Sequence, residues 1–113
     1  MAVEIGTAYV VKMAGYNRWM NEGIYAAAAS LTDAQRREDA GAFFGSIHGT
    51  LNHLLWGDQI WMSRFAGTPE PRVPDIPSSA AQFDTFNALT AERKSFDAVI
   101  IDWARQLDVA WLD

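Results

Sequence analysis

Residues 42–67 read AFFGSIHGTLNHLLWGDQIWMSRFAG, and Phe44, Ile47, Leu51, Leu54, Trp61 and Phe65 recur in this stretch at intervals of three, four and seven. A helix turns by about 100° per residue, so side chains at these intervals share one face. The spacing predicts a helix over residues 42–65, with Asp58 on the same line as its apolar stripe. Immediately downstream, GTPEPRVPDIPSS (residues 67–79) holds all four prolines of the chain. Proline lacks an amide donor and pushes the residue before it out of the helical region, so this stretch is a long connection that no helix crosses. Upstream, residues 3–31 contain no proline and carry Tyr9, Met13, Tyr16, Met20, Ile24, Ala27 and Leu31 at helical spacing, which predicts a first long helix buried along that stripe. It stops at Ser30-Leu31-Thr32-Asp33. Thr32 with Gln35 has the form of a capping box, and Arg36, Arg37, Glu38 and Asp39 read as solvated linker. Beyond the prolines, Ser79 with Gln82 reads as a second capping box. Phe86, Leu89, Phe96, Ile100, Trp103 and Leu107 then mark a third long helix.

No strand-like alternation and no internal repeat is present. Three amphipathic helices of about 25 residues predict an all-α, up-and-down helical bundle forming one domain over residues 1–113, with any functional site between facing helices. The apolar ending at Val109, Ala110, Trp111 and Leu112 leaves that bundle without a polar closing tail.

Composition narrows the function. The chain has 113 residues, 50% of them hydrophobic, which is enough for one packed domain. No apolar run approaches the ~18 residues needed to span a bilayer, and the start lacks the basic and apolar regions of a signal peptide, so the expected location is cytoplasmic. There is no cysteine, which removes disulfides, thiolate nucleophiles and Cys-ligated metals. A net charge of −5 with nine scattered Lys and Arg gives no electrostatic footprint for nucleic acid.

Any metal must therefore be held by His, Asp or Glu. The two histidines, His48 and His53, are five residues apart, about 140° around a helix, so they flank the apolar face and cannot chelate one ion together. Each reads either as a half-buried histidine bonded to a neighbouring segment or as a ligand with partners elsewhere. Asp58, Asp97 and Asp102 are the candidate oxygen ligands. Asp58, on an apolar stripe, needs a partner if it is buried. Asn17, Asn21 or the indole of Trp19 on the first helix are the donors expected to supply one, as a polar pin or around a catalytic acid. Most of the five tryptophans and three tyrosines read as core, with Trp56 a candidate pocket wall. Phosphate loops, nucleophile elbows, H-E-x-x-H and EF-hand spacings are absent.

YNRWMNEGIYAAAASL (residues 16–31) and FFGSIHGTLNHLLWGDQIWMSRFAG (residues 43–67) resemble the DinB/YfiT-like family of bacterial metalloenzymes, through the patterns YNxWxN and SIxxTLNHLLxxDxxWxxRF. The resemblance implies a four-helix bundle, a homodimer, and a divalent metal, zinc or nickel, held by three histidines. The histidine of the NHL motif is His53, which the resemblance makes a metal ligand, with Trp56 and Asn17 lining its pocket. Relatives act as transferases or isomerases that use a low-molecular-weight thiol on a small-molecule substrate. The family's other two ligands form H-x-x-x-H on a fourth helix, and no histidine follows His53 here. The resemblance thus leads to the expectation of a C-terminally incomplete domain with an apolar groove where that helix would pack. Three readings stay open: a metal-dependent enzyme completed from outside, a metal-free helical dimerisation or interaction module, and an inactive truncated member.

Overall fold

The computed structural model describes residues 6–39 and 45–107. Within them the chain forms α1 (Thr7–Ala29), α2 (Asp33–Arg37), α3 (Ile47–Ala66), α4 (Ile76–Ser79) and α5 (Phe86–Gln106), and no strand occurs among the described residues. The all-α expectation with three long helices holds. Phe44 and the apolar run from Val109 to Leu112 lie outside the described residues.

Local chemistry sets the helix ends. Ser46 caps α3 by accepting from the amide of Gly49, and Gly67, at φ 69°, closes it in the left-handed conformation that glycine adopts without strain. The expected capping box at Thr32 and Gln35 is present and starts α2. Arg36 and Arg37 therefore belong to a short helix instead of a solvated linker. Arg36 donates to the carbonyls of Ala28 and Leu31 and lies 4.1 Å from the ring centre of Phe86, which ties the end of α1 to the start of α5. The box expected at Ser79 and Gln82 does not form. Both side chains have distant partners, and Asp75 and Thr85 cap α4 and α5 instead.

The core is built from Tyr25 and Ala28 of α1, Leu51, Leu55 and Met62 of α3, Phe83, and Phe86, Leu89 and Phe96 of α5. Helix α5 lies between the other two long helices, along α1 on one side and against α3 on the other, while α1 and α3 meet only marginally. This placement corrects one expectation. The α1 stripe read as core is exposed, with Tyr9 at 56% and Met13 at 47%, while Ala14, Tyr25 and Ala28 are buried instead. On α3, Leu51 of the expected stripe is buried, but Leu54, Trp61 at 57% and Phe65 at 56% are not. On each helix the exposed apolar face is rotated by about 100° from the buried one. That offset is what a helix shows when it has apolar surface for two sides, and among the described residues no long helix covers the exposed one.

The connection between α3 and α5 is held by Asn52, which is fully buried on α3. Its Oδ1 accepts the amide of Phe83 at 2.7 Å, and its Nδ2 donates to the carbonyls of Phe83 and His48 at 3.1 Å each. The proline-rich stretch has no ladder of its own to satisfy its backbone, so one amide side chain supplies that pairing. Asn52→Ala should cost about 3 kcal/mol, because it removes these bonds and leaves the buried Phe83 amide without an acceptor, while the Phe83 carbonyl keeps only its bond from His48. Urea unfolding of the two proteins checks this.

Candidate functional site

The polar centre of the fold is Arg93 on α5, which is 3% exposed. Its guanidinium donates from Nε and Nη2 to Asp97 Oδ1, at 2.9 and 2.6 Å, and from Nη2 to Asp58 Oδ2 at 2.8 Å. Asn21 of α1 donates to both oxygens of Asp97, at 3.1 and 3.2 Å. One connected set of bonds therefore links α1, α5 and α3. Burial works against the Arg93 charge, but the two carboxylates and their hydrogen bonds outweigh it and raise the pKa above the usual value. Asp58 has the partner it needs, from α5 and not from α1 as expected. Asn21 belongs to the network through Asp97, whereas Trp19 is 68% exposed. Asp97 is structural, and Asp102 is exposed.

Asp58 sits at the border of the exposed α3 face, with Asn17, Met13 and Trp61 lining the same groove between α1 and α3 and with Ile100 and Trp103 of α5 also in its lining. The groove measures about 300 Å³. Asn17 is thus placed with Asp58, and Trp56 elsewhere. Most of the tryptophans were expected in the core. Among the described ones Trp56 alone is buried, while Trp19 and Trp61 are exposed.

The histidines point to different places, as their spacing required. His48 is buried, and its Nε2 donates to the carbonyl of Phe83 at 3.0 Å. Burial lowers its pKa, against the hydrogen bond to Phe83, which raises it. His53 is half-buried and its Nδ1 lies 2.8 Å from Ser79 Oγ, on α4 of the connection. The indole of Trp56 stacks on the imidazole with ring centres 5.8 Å apart, and Trp56 Nε1 donates to the carbonyl of Val73 at 2.9 Å. Trp56, the candidate pocket wall, is thus buried beside His53. By helical rotation His53 lies about 145° from the middle of the buried α3 face, so the candidate ligand meets the connection and not the bundle interior.

A metal centre normally takes three or four ligating side chains. Among the described residues no group of three His, Cys, Asp or Glu comes together. These residues do not by themselves fit a metal, and His53 offers one imidazole. From sequence, Arg93 and Asn52 have no assigned role and Ser79 reads only as a helix cap, not as a partner of His53. Arg93 and Asp97, four apart on the stripe of Leu89, Phe96 and Ile100, carried a legible signal, since a charged pair on an apolar face implies a buried one. Nothing local points from Ser79 to His53, which is 26 residues away.

Two substitutions test the network. Arg93→Met should destabilise the fold by about 3–5 kcal/mol, as it leaves Asp97 buried without its cation. Asp58→Asn, at a side chain that is 41% exposed, should cost less in the same urea titration. Tyr25 gives a pH dependence. Burial pushes its phenol up to about 12, with Arg93 opposing and Asp97 and Asp58 adding to the shift. The unfolded phenol ionises near pH 10 and the folded one later, so the unfolded state holds fewer protons in between. Stability should then fall as pH rises from 10 towards 12, by roughly 1 kcal/mol per unit. In Tyr25→Phe that slope should be absent.

No helix among the described residues is long and apolar enough to cross a membrane. Comparison with curated proteins and with solved structures gives no match. The DinB family model matches residues 1–109, nearly the whole chain, and covers the NHL motif, the helices and the connection described above. The chain belongs to the DinB family.

Proposed function

We propose that this chain is the helical scaffold of a DinB-type metal-dependent enzyme, a transferase or isomerase that uses a low-molecular-weight thiol on a small-molecule substrate. His53 contributes one ligand to zinc or nickel, and a polypeptide segment outside the described residues supplies the others. The observation that carries the reading is the bracing of His53. The ring of the NHL histidine meets Ser79 at its edge and is flanked by the nearly parallel ring of Trp56, which is itself bonded to Val73. Such second contacts orient an imidazole for ligation. A homodimer is part of the proposal, since a second copy can both cover the exposed faces of α1 and α3 and bring further side chains to the site.

A second reading rests on those faces alone. Tyr9, Met13, Tyr16, Met20 and Ile24 on α1, with Leu54, Trp61 and Phe65 on α3, expose more large apolar groups than single scattered ones would explain. In that reading the chain is a metal-free helical dimerisation module.

Elemental analysis of the purified chain and of His53→Ala, combined with sedimentation, separates the two. Near-stoichiometric zinc or nickel in the dimer, lost in the variant, is the expected result. Background metal in both proteins, with the dimer retained, would leave the dimerisation module.

A further inference from the structure

We infer that Ser79 is a positioning residue for His53: its hydroxyl oxygen accepts the Nδ1–H of the imidazole, which holds the ring in the tautomer whose lone pair is on Nε2. The functional meaning of this rests on the proposal that His53 is the ligating histidine; the hydrogen-bond assignment does not.

The assignment follows from counting hydrogens. Ser79 Oγ lies 2.6 Å from the carbonyl oxygen of Ile76 and 2.8 Å from His53 Nδ1. A hydroxyl has one hydrogen, and a carbonyl can only accept. Two oxygens 2.6 Å apart with no hydrogen between them would repel, so the Ser79 hydrogen lies on the line to Ile76. What Ser79 presents to His53 is then a lone pair, and the hydrogen in the 2.8 Å contact belongs to Nδ1. The reverse arrangement, with Ser79 donating to Nδ1, would leave the shorter contact without a hydrogen. Ser79 is fully buried, so bulk water does not compete for either bond.

The surroundings fix the geometry. Asp75 caps α4 by accepting from the amide of Ser78, next to Ser79, and Trp56 limits rotation of the ring plane. His48 provides a contrast on the same helix. Its Nε2 faces the carbonyl of Phe83, which requires the hydrogen on Nε2. The two imidazoles of α3 therefore take opposite tautomers, each set by an acceptor in the connection. Which nitrogen of a histidine is protonated decides which one can ligate or take up a proton.

Long-range proton–nitrogen correlation spectra of the ¹⁵N-labelled, chelator-treated chain at about pH 8.5, where an ordinary imidazole is neutral, test the inference. The expected spectrum has a protonated Nδ1 and an unprotonated Nε2 for His53, and the reverse for His48. In Ser79→Ala the His53 ratio should move several-fold towards protonated Nε2, while the His48 pattern stays and reports that the connection is still docked. An unprotonated Nδ1 at His53 in the wild type overturns the inference, and so does an unchanged ratio in a variant that keeps the His48 pattern. If the variant loses the His48 pattern, the wild-type assignment decides alone. Background metal in a chain with Nδ1–H at His53 would remove the proposed function and leave this inference standing.

Discussion

Arg93 is a full charge taken out of water at the place where all three long helices can reach it, and the packing around it depends on keeping it paired. A lone buried guanidinium is unstable by several kcal/mol, so Arg93 is paired with buried Asp97 one turn along and with the more exposed Asp58 on α3, while Asn21 of α1 donates to both oxygens of Asp97. Apolar contacts could tolerate sliding of one helix along another. The fork geometry of the guanidinium cannot, and it sets the register of α1 and α3 on α5. This is a role in specificity more than in net stability.

A second polar device acts at the other end of the core. The connection between α3 and α5 carries the prolines and can make few backbone bonds to itself, so α3 supplies them from side chains. Asn52 holds Phe83, His48 reaches the same carbonyl, Trp56 reaches Val73, and His53 meets Ser79. Arg72 adds its amide to Gln82 and stacks over Phe83, which closes the connection on itself. The NHL motif thus does two things at once. Its asparagine docks the connection, and its histidine is oriented by the docked connection.

The three long helices were legible from periodicity and proline placement, because both are local. The orientation of α1 was not. A period identifies an apolar face but not which neighbour covers it, and Tyr9, Met13 and Ile24 mark a face distinct from the one that Ala14, Tyr25 and Ala28 bury. Small residues such as Ala14 and Ala28 carry little weight in a hydrophobic pattern, yet they allow the close approach of α5. Caps were legible where the partner is three residues away, as at Thr32, and misleading at Ser79 and Gln82, where distant groups compete for the same side chain. His53 stood out by motif and Asp58 by its place on a stripe. Their partners, Ser79 and Arg93, come from other elements, and no local pattern encodes such a meeting.

The pairing of α1 with α5 also bears on how the chain reaches this state. Helical domains usually fold quickly because neighbouring helices are neighbours in sequence. Here the most extensive helix pair joins the two ends of the described chain, and its polar contact, Asn21 with Asp97, spans 76 residues. Helix α1 precedes the other two long helices, yet the α5 surface it needs is made only after α3 and the whole connection. Until α5 is present the core face of α1 stays in water, beside an aromatic stripe that remains exposed in the folded structure as well.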